Sequence, residues 1–284
     1  MTSKSTDTAV TPRGFWTQKM EEASEFMEKM RKYPIAECGE PMVSLVDAAE
    51  GLEVQYSTTK INDQYPRIFF LRQGLIKQFQ AVAKEMNEQG WILKVEDGYR
   101  SPEMQRGLSH NPRLFDFILK KVMWELEGAI PAPEFMLRRL GALLAIRCRL
   151  GTHISGSAID ISVVDRNTGK DIDRGGPYIE ISERTPMDSP FITPEERANR
   201  YAIMDLFHRH GWQAYPWEFW HFSAGDCYTE FLQNTGKPAR YGPMRFEGDK
   251  ITSILPPQDD ELLEPVEFYQ KGIAESLERF KNAQ

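Results

Sequence analysis

Apolar residues recur every three or four positions in several long stretches of the chain, a spacing typical of amphipathic helices. It predicts helices at 15–33, 68–89, 101–149 (broken at 131–133), 193–210 and 265–283. The start at 193 is the clearest, because Thr193 suits the N-cap, Pro194 the first turn and Glu196 a capping box. We therefore expect helices along much of the chain, including one near each terminus.

Alternation of apolar and polar residues, or short apolar runs between turn residues, predicts the strands. These lie at 43–46, 52–56, 91–100, 158–164, 212–222 and 241–246. The mixture predicts an α+β fold with a small, mostly antiparallel sheet packed with helices and extra helices at the N- and C-termini.

The domain organisation follows from where the pattern begins and ends. We expect a flexible tail at 1–14 and a single domain at 15–284. Within that domain, the core should span about 43–245, and a helical extension should occupy about 259–284. The sequence contains no internal repeat or low-complexity linker that would favour a second domain.

Composition narrows the classes of partner. Hydrophobic residues make up 40% of the 284 positions and charged residues 27%, as in an ordinary globular protein. The net charge of −7 argues against nucleic acid or an anionic membrane as the main partner. No stretch reaches the roughly 18 apolar residues of a membrane helix, and residues 1–14 lack the apolar region of a signal peptide. We therefore predict a cytoplasmic protein that binds neither nucleic acid nor a membrane.

Two short segments each offer a histidine beside a carboxylate. His153 and Asp160 lie in the first, and Glu218 and His221 in the second. Catalytic zinc in hydrolases takes three protein ligands of the histidine and carboxylate type and leaves a fourth position to water. His153, Asp160 and His221 supply such a set, which leaves Glu218 as a base.

The spacings restrict the local structure, because residues an odd number of positions apart in a strand point to opposite faces. His153 and Asp160 are seven positions apart, so the chain must turn between them, and Gly156 is where it could do so. We place His153 in a loop and Asp160 in a strand. Glu218 and His221 are three apart, which requires a bulge or a strand end between them.

Three motifs, taken together, resemble one enzyme family. Gly-Tyr-Arg at 98–100, T-H-x-x-G-S-A-x-D at 152–160 and W-E-x-W-H-F at 217–222 are similar to the zinc D-alanyl-D-alanine dipeptidases and carboxypeptidases. The family pattern is S-x-H-x-x-G-x-A-x-D followed downstream by E-x-x-H, and the Asp-Gly-Tyr-Arg turn is most like that of the vancomycin-resistance-type dipeptidases. The similarity spans about 43–245. Gly151 stands where the family pattern has serine.

The resemblance implies roles for five side chains. His153, Asp160 and His221 would hold one zinc ion, with the metal site on the sheet. Glu218 would act as general base. Arg100 would steady the substrate carbonyl and the developing oxyanion.

The termini of a free dipeptide need partners as well. An acidic side chain is required for the ammonium group, and Glu180, in the loop at 170–192, is our candidate. Tyr99, beside Arg100, is a second candidate for substrate binding.

The leading hypothesis is zinc-dependent hydrolysis of a small dipeptide such as D-Ala-D-Ala. A D,D-carboxypeptidase or peptidoglycan peptidase is an alternative, and so is an inactive, zinc-stabilised binding protein on the same fold. The terminal helices would dock on their own domain or form a homo-oligomer, and the sequence does not choose between these two arrangements.

Overall fold

More residues lie in helices than in strands in the structure, a computed structural model that describes residues 10–256 and 261–283. Within those residues the helices are α1 (Pro12–Met30), α2 (Leu45–Ala48), α3 (Ile76–Glu88), α4 (Pro102–Ser109), α5 (Pro112–Glu125), α6 (Pro133–Leu143), α7 (Pro194–Arg209), α8 (Cys227–Leu232) and α9 (Val266–Asn282). None of these helices has both the length and the apolar character needed to cross a bilayer.

The strands are short. They are β1 (Met42–Ser44), β2 (Val54–Tyr56), β3 (Phe70–Arg72), β4 (Trp91–Asp97), β5 (Ala158–Asp165), β6 (Gln213–Ala214), β7 (His221–Ser223), β8 (Met244–Glu247) and β9 (Lys250–Ile254). Five of them form the main sheet in the order β2-β4-β5-β7-β6, in which only the β2/β4 pair is parallel. The predicted α+β class, with a small and mostly antiparallel sheet, is confirmed.

The central strand β5 separates a buried apolar face from a polar one. Ile159, Ile161 and Val163 enter a core that the sheet shares with residues of α3 and α7. Because side chains alternate along a strand, Asp160 and Ser162 face the opposite side. The polar face of the sheet is therefore where a site can form.

A second core lies among the helices. It joins α1, α5, α6 and α9, with Trp16, Met20, Leu119 and Tyr269 among its buried members. The apolar stripes of both terminal helices thus pack against α5 and α6 of the same chain.

Several predicted boundaries were wrong. The predicted tail is wrong at residues 12–14, which already belong to α1. Residues 1–9 of that tail lie outside the described residues. Residues 259–260 and 284 of the predicted C-terminal extension also lie outside them. The helix expected from residue 68 begins only at Ile76, since 70–72 pair with β1 as a strand. The strand expected at 43–46 ends at Ser44, whose hydroxyl caps α2.

Candidate active site

A tight turn before β5 presents His153. Gly156 has a φ of +68°, and a Cβ there would lie 2.6 Å from Sδ of Met42. Only glycine adopts this conformation without strain, which explains the turn expected at this position. The buried guanidinium of Arg72 supports the turn from below, because its Nε donates to the carbonyl of Ser155 at 2.7 Å. His153 therefore lies in a loop and Asp160 in a strand, as predicted.

Adjacent strands then align the other two ligand candidates. Asp160 of β5 is directly opposite His221 of β7 in the antiparallel register. Glu218 precedes β7 in a turn in which its amide donates to the carbonyl of Tyr215, and its own carbonyl accepts from the amide of His221. The strand end predicted between Glu218 and His221 is present. The prediction of a continuous strand at 212–222 was wrong.

The three side chains converge. Their ligand atoms all lie within 4.8 Å of one another, and all three residues are buried. Oδ1 of Asp160 is 3.3 Å from Nε2 of His153 and 3.0 Å from Nδ1 of His221. The cluster could therefore hold a metal ion.

In each histidine, the outer ring nitrogen, which is the one that does not face Asp160, has its own hydrogen-bond partner. Nδ1 of His153 donates to the carbonyl of Gly98 at 2.6 Å, and Nε2 of His221 lies 3.0 Å from the hydroxyl of Thr152. In a neutral His153 ring this leaves the lone pair of Nε2 aimed at the carboxylate of Asp160. A cation between these two acceptors would satisfy both, and a hydrogen-bonded outer nitrogen is usual for a metal-bound histidine. The donor set fits a divalent metal.

The electrostatics agree with this arrangement. Burial lowers the pKa of His221, which favours the neutral ring that binds metal. Burial opposes ionisation of Asp160, but in the metal-free protein the positive charge of the histidines and their hydrogen bonds outweigh burial and hold the pKa of Asp160 well below the usual value. A neutral imidazole and an ionised carboxylate are the required ligand forms.

Arg100 reaches the cluster from the loop after β4. Its Nη2 contacts Oδ2 of Asp160 at 3.0 Å, and its Nε contacts Oδ2 of Asp97 at 2.7 Å. Burial disfavours the charge of Arg100, but these two carboxylates outweigh burial and raise its pKa further. The hydroxyl of Tyr178 donates to the same oxygen of Asp160 at 3.1 Å. Arg100 is thus a fixed, permanent cation beside the candidate metal position.

Glu218 has a different environment. Among the described residues none donates a hydrogen bond to its carboxylate. Burial, and after it the negative charge of Asp160, raise its pKa well above the usual value, while Arg100 acts in the opposite direction. A carboxylate with a raised pKa and unsatisfied oxygens can accept a proton near neutral pH.

These groups line one cavity of about 290 Å³. Arg100, His153, Asp160, Glu218 and His221 all contribute to its wall. Glu180 lines it as well, and its carboxylate accepts a hydrogen bond from the hydroxyl of Ser182. The structure thus brings the predicted base, cation and acidic residue to the same cavity as the ligand cluster.

Tyr99 is the exception, and its proposed contact with substrate has to be corrected. Its side chain is fully buried and packs edge-on against Phe246. Its hydroxyl donates to the carbonyl of Met244 and accepts from the amide of Phe246, both at 3.0 Å. Tyr99 is therefore held among Met244 and Phe246 and does not line the cavity.

Sequence reasoning missed several partners of the cluster. Thr152 and Asp97 lie inside the motifs that drew attention to their neighbours, so adjacency could have suggested them. Tyr178 and Arg67, which also line the cavity, come from segments without a regular pattern. Arg67 approaches Oδ2 of Asp97 at 3.1 Å, and only the folded chain reveals this contact.

Comparison with known proteins agrees with the geometry. The family model described as D-ala-D-ala dipeptidase matches residues 142–235, a span that includes the three clustered residues and Glu218. A D-alanyl-D-alanine dipeptidase of Synechocystis sp. is 23% identical over 230 residues, which cover 72% of this chain and 90% of the relative. One from Enterococcus faecium is 29% identical over 75 residues, 26% of this chain and 37% of that protein.

A solved structure, described as that of the LdcB LD-carboxypeptidase and its basis of peptidoglycan recognition, aligns with a TM-score of 0.37 and 16% identity. The alignment covers 74% of this chain and 81% of that one.

The fold, the cluster and the curated relatives together define a metallopeptidase. Within that class the chain is similar to the D-alanyl-D-alanine dipeptidases.

Proposed function

We propose that the protein is a zinc-dependent dipeptidase that hydrolyses D-Ala-D-Ala or a similar small dipeptide. The observation that carries the proposal is the convergence of His153, Asp160 and His221 on one point of a cavity that Glu218 and Arg100 also line. The curated relatives are described as D-alanyl-D-alanine dipeptidases, which supports the substrate class.

His153, Asp160 and His221 would hold the metal. When bound, zinc lowers the pKa of its water to about 7 and acts as a Lewis acid on the substrate carbonyl. Two neutral nitrogens and one carboxylate suit zinc, although such sets take other divalent ions as well.

Glu218 transfers the proton during hydrolysis. No described residue donates a hydrogen bond to its carboxylate, so it can take a proton from the attacking water and deliver it to the leaving amine. Its raised pKa makes the carboxylate a stronger base than an ordinary glutamate, which favours the first of these transfers.

Arg100 stabilises the charge that develops on the carbonyl oxygen. Asp97 and Asp160 hold its guanidinium in place before substrate arrives, so its reorientation costs little. Loss of one such donor commonly costs about 2.7–4 kcal/mol of transition-state stabilisation.

Glu180 is our candidate partner for the substrate ammonium group. Its carboxylate lies in the cavity wall and makes no salt bridge with a described residue, so its charge is available to a ligand. A dipeptide presents that ammonium close to the scissile bond, and a longer peptide does not.

The test uses purified, zinc-loaded protein with the matched variant Glu218→Gln. Wild type should release alanine from D-Ala-D-Ala, and the variant should retain one equivalent of zinc while its turnover falls by about 10²–10⁴-fold. A variant that keeps wild-type turnover would remove Glu218 from its role.

Two further substrates separate the alternatives. Faster turnover of a pentapeptide ending in D-Ala-D-Ala than of the free dipeptide would indicate a carboxypeptidase. Bound zinc without hydrolysis of either would indicate a binding protein.

A further inference from the structure

The cavity does not end at the polar cluster. It continues between helices, where its wall consists of apolar side chains. These are Met27 of α1, Leu108 of α4, Leu114 of α5, and Ala142, Leu143 and Leu144 at the end of α6. The helical core thus supplies one side of a site whose chemistry comes from the sheet.

The helical wall carries no charge of its own. In the described part of the chain, every charged residue that lines the cavity comes from outside α1, α4, α5 and α6. The two polar residues on this wall, Gln105 and Asn111, use their side chains locally. The oxygen of Asn111 caps α5 by accepting from the amides of Arg113 and Leu114.

Gln105 connects the apolar wall of the cavity to Arg100. Its amide nitrogen donates to the carbonyl of Ala145 at 3.1 Å, and its oxygen accepts from Nη1 of Arg100 at 3.3 Å. The side chain of Gln105 is itself buried. The segment after α6 and the catalytic arginine are therefore held at a set separation.

The apolar wall of the cavity is also partly exposed to solvent. Leu108, Leu114 and Leu144 remain partly exposed, although they face a concave space. The polar groups named above would act on the peptide bond and the ammonium group of a dipeptide, and neither role uses this apolar region. A binding cavity with an apolar wall gains affinity when an apolar group of the ligand fills it.

We propose that the preferred substrate is a dipeptide in which one residue bears a large apolar side chain, of the size of leucine or phenylalanine, and that Leu108 and Leu114 select it. This inference rests on the proposed dipeptidase function and narrows its substrate. The family model match begins at residue 142, so both leucines lie outside the region shared with it.

The first experiment compares kcat/KM of the zinc-loaded wild type for D-Ala-D-Ala, D-Ala-D-Leu, D-Leu-D-Ala and D-Ala-D-Phe. We expect at least one apolar dipeptide to exceed D-Ala-D-Ala about tenfold or more, within the range that additional methylene groups produce in a hydrophobic pocket. If D-Ala-D-Ala is the best of the four, the inference is overturned while the dipeptidase proposal stands. Hydrolysis of none of them would overturn both.

The second experiment tests the wall itself. Leu108→Ala and Leu114→Ala should each lower kcat/KM for the apolar dipeptide severalfold more than kcat/KM for D-Ala-D-Ala. Leu137→Ala is the matched control, because it truncates a partly buried leucine of α6 that does not line the cavity. Equal losses on all substrates, or the same effect from Leu137→Ala, would exclude a selective role for these leucines.

Discussion

The hydrogen bonds behind the two histidines determine what the cluster can do. The carbonyl of Gly98 accepts a hydrogen bond from Nδ1 of His153, which selects the tautomer whose Nε2 lone pair points to the shared centre, and the hydroxyl of Thr152 lies 3.0 Å from Nε2 of His221. The sequence predicted the inner residues, His153, Asp160 and His221, because ligand types at those spacings are recognisable. It could not reveal that a threonine hydroxyl and a backbone carbonyl hold the rings.

Replacement of Thr152 by valine tests this orientation. The substitution keeps the shape of the side chain but removes the hydrogen-bond partner of Nε2 of His221, so the ring is free to rotate or change tautomer. Loss of such an outer partner typically weakens metal affinity about 10–100-fold. Zinc affinity measured by competition with a chelator should fall accordingly, whereas Thr235→Val, at an exposed position, should leave it unchanged. Unchanged affinity in Thr152→Val would contradict the orientation argument.

Glu218 also imposes a pH dependence on the metal-free protein. Its pKa is raised in the folded state, so its protonated form is the one that the fold favours. The contribution to stability is complete below the unfolded pKa of about 4.3 and is lost as pH rises through the higher folded pKa. Glu218→Gln removes this loss. Without metal, the variant should unfold at a higher temperature than wild type at pH 7, and the difference should shrink towards pH 4. A constant difference across this range would rule out titration of Glu218 as its cause.

Among the elements, those with a local physical signal were predicted best. The capping box of α7 is formed by Thr193 and Glu196 as expected, and β5 follows its alternating pattern. The errors arose where tertiary contacts override a local pattern. Phe70–Arg72 has helical periodicity but pairs with β1, and the expected strand at 212–222 is interrupted by the turn that carries Glu218.

A buried ion pair joins the helices behind the cavity. Arg139 of α6 contacts Glu125 of α5 at 2.5 Å and Glu21 of α1 at 2.7 Å. The indole of Trp16 donates to the same carboxylate of Glu125 at 3.3 Å. This network fixes α1 and α6, which both contribute to the apolar wall of the cavity.

Arg139→Met should therefore be strongly destabilising, because it leaves Glu125 buried without its cation. Removal of one partner from a buried pair costs about 3–5 kcal/mol, seen as a lower midpoint in urea denaturation. Adding Glu125→Gln should recover much of the loss, since the glutamine is neutral and still accepts from Trp16. Lys84→Met, which breaks an exposed pair with Glu88, is the control and should cost about 1 kcal/mol or less. A double variant no more stable than Arg139→Met would show that the unpaired charge is not the cause.

In the whole molecule, the site lies where two cores meet. The sheet and its helices form one, and α1, α5, α6 and α9 form the other. The sequence predicted amphipathic helices at both termini, but periodicity identifies an apolar face without identifying what covers it. That the helical core also supplies the apolar wall of the cavity is a property of the assembled chain.

The candidate metal site also exists only in the folded chain, so metal binding should stabilise the fold. The ligand candidates come from a turn before β5, from β5 itself and from β7, so the unfolded chain does not hold them together. An ion that binds only the folded state stabilises it by about 2.7 kcal/mol at a free concentration of 100 Kd. For a chain of this size that corresponds to a rise of roughly 5–10 °C in Tm. Zinc should produce this shift in wild type, and His153→Gln should abolish most of the shift. His110→Gln changes an exposed histidine outside the cluster and should show the full shift. A full shift in His153→Gln would mean that the ion binds elsewhere, and the three converging side chains would then need another explanation.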